Sequence, residues 1–99
     1  MFARLTRYEG ISPDAIDAAL ETKKRVLPTE FGQTAGMKGT VFLVDREGGA
    51  IHVISLWESE EARSASEPDA ARLREEVTEE GETASVENYE VALLAVAQT

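Results

Sequence analysis

The chain has 99 residues, of which 42% are apolar and 29% charged, with a formal net charge of −9. That acidity argues against nucleic acid, whose phosphates call for a basic footprint, and against anionic membrane surfaces. The absence of cysteine removes disulfide and thiol chemistry. It fits a cytoplasmic protein, and the length predicts one domain over 1–99. No apolar run approaches membrane-spanning length, and the first residues lack a signal peptide's apolar stretch.

Phe2 to Glu9 alternates, with Phe2, Arg4, Thr6 and Tyr8 on one side and Ala3, Leu5 and Arg7 on the other. This predicts a first strand. Ser12-Pro13-Asp14 is a helix start, with Ser as N-cap, Pro at the first helical position and Asp near the positive end of the dipole. Ile16, Ala19, Leu20, Lys23, Val26 and Leu27 recur near helical spacing. Pro28 lacks a backbone donor and should kink or end this helix, with a short extension through Phe31.

Gly32 to Gly39 leads into a hairpin of Thr40–Arg46 and Ile51–Trp57 around Gly48-Gly49. A turn at the glycine pair would set Val44 opposite Val53, Phe42 opposite Ser55 and Thr40 opposite Trp57. One face then carries Val41, Leu43, Ile54 and Leu56, with Asp45 and His52 near the turn. The other carries Thr40, Phe42, Val44, Val53, Ser55 and Trp57. Both faces are apolar enough to need cover. Ser59 caps a second helical region, Pro68 interrupts it, Ser66 and Asp69 could recap it, and Gly81 would stop it. Val86 to Ala97 predicts a long last strand.

The βαββαβ order predicts an α+β, ferredoxin-like fold: a four-stranded antiparallel sheet with two helices on one face. The helices are expected over Val41, Leu43, Ile54 and Leu56. The Phe42 and Trp57 face would then be covered by a second copy, making a homodimer through the sheet face.

Val26-Leu-Pro28, Gly36-Met-Lys-Gly39, Thr40–Asp45 and Ser55-Leu-Trp57-Glu-Ser59-Glu-Glu-Ala62 together resemble the antibiotic-biosynthesis-monooxygenase (ABM) domain of the dimeric α/β barrel superfamily. The resemblance implies a homodimer with a joint barrel and a pocket between sheet and helices in each subunit. It also implies, for some members, oxidation of polycyclic aromatics by oxygen without metal or flavin. Heme-degrading members rely on an Asn on the first strand and on Trp and His in the second helical region. This chain has none of these there, so heme degradation is disfavoured.

Oxygenation without a cofactor asks a protein to hold a flat substrate in a dry pocket, help remove a proton and stabilise the anion. Arg4, Thr6, Phe42, Ser55 and Trp57 are the candidate ligand-binding residues. Arg4 would pair with an enolate or phenolate, Ser55 and Tyr8 would hydrogen-bond, and Phe42 and Trp57 would stack. Arg4, Tyr8 and His52 are the catalytic candidates, His52 as the only histidine and a neighbour of Asp45 across the hairpin. The competing reading makes Phe42 and Trp57 dimer-core packing, Arg4 an ion-pair residue and His52 a cross-strand neighbour of Asp45. One histidine is too few for a typical transition-metal site, and no cofactor is expected. Two functions remain open: a monooxygenase for a small aromatic or quinone-type metabolite, and a non-catalytic dimeric barrel that binds a small apolar ligand or serves a stress or regulatory role.

Overall fold

A computed structural model describes residues 1–77 and 82–97. The elements are β1 (Phe2–Glu9), α1 (Pro13–Gln33), β2 (Met37–Asp45), β3 (Ala50–Trp57), α2 (Glu60–Ala65), α3 (Glu67–Val77) and β4 (Glu82–Glu90). The strands form one antiparallel sheet in the order β2-β3-β1-β4. This is the expected ferredoxin-like sheet, with the second helical region split into two pieces.

Local chemistry sets the element starts. Ser12 Oγ accepts from Ala15 N at 3.2 Å and Ser59 Oγ from Ala62 N at 3.1 Å, so both predicted N-caps operate. Pro28 neither ends nor shortens α1, which runs through it to Gln33. A proline forfeits one donor, and the turns on either side supply enough bonds to carry the helix past it. Ser66 is not the side-chain cap expected for the second segment. Its hydroxyl donates to the Arg63 carbonyl at 2.6 Å, while its own carbonyl receives Ala70 N at 3.0 Å. Gly81, the expected stop, lies outside the described residues.

The hairpin turns earlier than the glycine pair suggests. Asp45 faces Ala50, Leu43 faces His52, Phe42 faces Val53 and Thr40 faces Ser55. The connection is therefore the four residues Arg46–Gly49. Asp45 Oδ1 accepts from Gly48 N at 2.9 Å, an Asx-type closure that places the turn one residue before the glycines. Gly49 takes φ +69°, and a Cβ there would stand 2.8 Å from the Ile11 carbonyl oxygen. The shift of two residues in pairing leaves each side chain on its expected face.

Which face the helices cover is the main correction. Ile16, Ala15 and Leu20 of α1 pack on Tyr8, Ile51, Phe42, Val44 and Val53. Trp57 is 2% exposed. The helices thus lie over the Phe42 and Trp57 face, and the Val41 and Leu43 face is open; Leu43 is 48% exposed. Both faces are apolar, so the pattern alone does not choose between them. Parallel β1 and β2 flank β3, and the right-handed connection through α1 places the helix on one side. The last strand is corrected too: β4 ends at Glu90, and residues 91–97 run on outside the sheet with Leu93 84% exposed.

Candidate functional site

β1, β3 and β4 build the floor of the site. Arg4 is registered between Ser55 on β3 and Asn88 on β4, so all three point to the helix side. A cleft of about 330 Å³ opens there, lined by Arg4, Arg63, Ser64, Glu67, Val86 and Asn88. Its floor is Val86 and Asn88 and its wall is the α2–α3 junction.

Arg4 is the best-anchored of these residues. It is 5% exposed, and its guanidinium lies 5.7 Å from the Trp57 ring centroid. Nη2 donates to the Arg63 carbonyl at 2.6 Å and to Ser66 Oγ at 2.9 Å. The cation therefore sits at the C-terminal end of α2, where the helix dipole favours positive charge, and shares the Arg63 carbonyl with the Ser66 donors. Nε stands 3.0 Å from a Glu67 carboxylate oxygen. Burial lowers the pKa of Arg4, and the Glu67 charge works against that shift.

Glu67 also pairs with Arg74 through its other oxygen. Arg63 donates to the Tyr89 carbonyl at 3.1 Å and covers the Phe2 ring at 5.5 Å. The α2–α3 junction is thus tied to the sheet by two guanidiniums, those of Arg4 and Arg63. Tyr8 is buried in the core, which raises its pKa, while Arg74 and Arg4 pull it the other way.

The sequence candidates divide into three groups. Arg4, Thr6, Tyr8, Phe42, Ser55 and Trp57 do share a face, but only Arg4 lines the cleft. Phe42 packs against the core under α1. Trp57 Nε1 donates to Ser55 Oγ at 2.9 Å, so those two satisfy each other beneath Arg4. Phe42 and Trp57 are core side chains of the subunit rather than of a dimer. His52 stands apart on the open face, with Leu43 opposite it. It borders a recess of about 100 Å³ that Asp45 also lines, yet no hydrogen bond or ion pair joins the two among the described residues.

Sequence reading missed Arg63, Ser64, Glu67, Val86 and Asn88. Asn88 had a usable signal, being the only asparagine in the chain and lying in an alternating segment. The helical residues had none, because their place depends on how the α2–α3 junction meets the sheet. Among the described residues no cluster of His, Asp or Glu is arranged to hold a metal, and no helix is long and apolar enough to cross a membrane.

No family model and no curated protein matches the sequence. Solved structures do match the fold. A monooxygenase from the gene ActVA-Orf6 of Streptomyces coelicolor, in complex with Nanaomycin D, is 16% identical with a TM-score of 0.68; the match covers 99% of this chain and 92% of that one. SnoaB, a cofactor-independent oxygenase from Streptomyces nogalater, is 13% identical with a TM-score of 0.64 over 94% of each chain. MhuD with manganese protoporphyrin IX bound is 21% identical with a TM-score of 0.66, covering 98% of this chain and all of that one. A further match, 18% identical with a TM-score of 0.64, is described as an antibiotic biosynthesis monooxygenase; it covers 94% of this chain and all of that one. The chain has the ferredoxin-like fold of the ABM proteins.

Proposed function

We propose that the chain is an ABM-type, cofactor-independent monooxygenase acting as a homodimer on a small aromatic or quinone-type metabolite. The observation that carries this reading is the cleft where apolar Val86, the Asn88 amide and the Arg4 guanidinium meet between sheet and helices. A flat ring lies on Val86, Asn88 hydrogen-bonds a ring oxygen, and Arg4 stabilises the enolate or phenolate that reacts with oxygen. Electrons come from the substrate. A ring methylene, present in an anthrone and in the keto tautomer of a dihydroxynaphthalene, is oxidised to a carbonyl; one atom of O₂ enters that carbonyl, and the other leaves as water with the two methylene hydrogens.

Oxygen uptake with an anthrone or a dihydroxynaphthalene and no added cofactor tests the reading. Asn88→Ala should lower turnover about 10²-fold, the scale of one lost oxyanion donor, without unfolding the protein. Absence of uptake across the panel would overturn it. That result would favour the second reading, a binding protein for a small apolar ligand. Its support is that the Arg4 Nη2 bonds and the Ser55–Trp57 pair are already committed to the fold. A histidine-ligated heme does not fit the cleft, because the single histidine, His52, lies on the opposite face of the sheet.

The homodimer in this proposal forms through the open face. Val41, Leu43 and Tyr89 are exposed there, flanked by half-buried Leu5, Ile54 and Leu56. An apolar face of this extent on a small domain calls for a partner. A second copy offers a matching face, and the exposed Leu93, Leu94 and Val96 give each tail apolar groups to lay on its neighbour.

A further inference from the structure

We propose that Glu67 is a built-in competitor for the carboxylate of an aromatic acid, occupying the Arg4–Arg74 pair until that ligand displaces it. The inference rests on the cleft being the binding site and adds the chemical class of its ligand. Two guanidiniums converge on one side-chain carboxylate: Arg4 Nε at 3.0 Å from one oxygen and Arg74 Nη2 on the other. Arg4 and Arg74 are both largely withdrawn from water, whereas the Glu67 side chain is 44% exposed and forms part of the cleft wall. The cations are thus fixed and the anion is the accessible partner.

The donor inventory points the same way. Arg4 Nε and Arg74 Nη1 are buried and make no well-formed hydrogen bond. Buried donors in that condition cost free energy, and Glu67, hung from the first turn of α3, does not align with all of them. A free carboxylate has the same charge and shape without that tether, so it can take the paired geometry that guanidiniums prefer. Val86 and Asn88 supply a floor for the attached ring. An aromatic carboxylate therefore fits the cleft better than a neutral aromatic, and rotation of the Glu67 side chain into solvent opens its place.

The test measures binding of 1-hydroxy-2-naphthoate, with 2-naphthol as the neutral probe, by fluorescence titration of the full chain without turnover. Glu67→Gln and Glu67→Ala should each tighten the naphthoate by about tenfold and leave 2-naphthol unchanged. Adding Arg74→Met to Glu67→Ala should remove the gain. Thermal melts check that each variant is folded, and the Gln variant, which keeps the size of the side chain, guards against collapse of the junction. Equal or weaker naphthoate binding in both Glu67 variants overturns the inference, as does an equal gain for 2-naphthol. If 2-naphthol binds every variant while the naphthoate ignores Glu67, the cleft stands as a binding site and the competitor does not. If neither probe binds any variant, the cleft reading falls as well.

Discussion

Arg4 shows how one side chain serves two purposes. It closes the C-terminal end of α2 through the Arg63 carbonyl and Ser66, and it puts positive charge under the cleft beside Trp57. A charge this buried persists because Nη2 donates to a carbonyl and a hydroxyl oxygen and the Glu67 carboxylate supplies a counter-charge. The two tyrosines test the surrounding electrostatics. Burial raises the pKa of Tyr8, and the hydrogen bond to Glu87 is the main cause of the rise at Tyr89. Folding thus disfavours both phenolates. The stability these groups contribute is complete below the ordinary tyrosine value of 10.0 and is lost as pH rises through the folded values. Ultraviolet titration of the native protein should place both steps above that of the urea-unfolded chain, and Tyr89→Phe should remove one of them. In Tyr89→Phe, a remaining phenolate step at the unfolded position would contradict the burial of Tyr8.

At the scale of elements, the helices and strands obey their local signals, with a few informative exceptions. Pro28 sits inside α1 although proline costs about 3 kcal/mol relative to alanine in a helix interior. Its flanking turns, including the Lys23–Glu30 pair at 3.2 Å, hold the helix together across it. Pro28→Ala should therefore stabilise the fold by about 2 kcal/mol, somewhat less than the full propensity difference because proline also restricts the unfolded chain. Chemical denaturation would show it as a higher midpoint at constant slope. A lower midpoint would mean that the proline conformation is needed for packing. The hairpin has the same character: Asp45 overrides the glycine pair because its side chain closes the turn one residue earlier.

For the whole molecule, the consequence of the fold is an uneven pair of sheet faces. One is sealed by α1 and notched by the cleft, and the other presents Val41, Leu43, Ile54 and Leu56 on β2 and β3, with the Arg7–Glu87 ion pair at 3.0 Å beside them on β1 and the edge strand β4. Hydrogen bonds from Tyr89, Arg7 and Ser85 hold the Glu87 carboxyl below its ordinary value, so it remains charged at neutral pH on the edge strand of that face. A charged pair within an apolar surface would fix the register of two copies. Light scattering at micromolar concentration should give the mass of a dimer, and Leu43→Glu should give a folded monomer. A wild-type monomer would remove the proposed assembly while leaving the cleft, which lies on the other side of the sheet.

Strand and helix order, both N-caps and the membership of each sheet face could be read from residue order, because capping and period-two alternation are local. The side of the sheet bearing the helices could not: both sides are oily, and the handedness of the β1–α1–β2 connection chooses between them only when the chain is assembled. For the same reason Arg4 was legible as a candidate while Arg63, Glu67 and Arg74 were not. They meet Arg4 across about sixty residues of chain, a distance closed by the docking of α2 and α3 on β1, for which no local pattern codes. Phe42 and Trp57 were legible as apolar residues in need of cover, but whether their own helices or another subunit supplied it was a matter of three-dimensional packing.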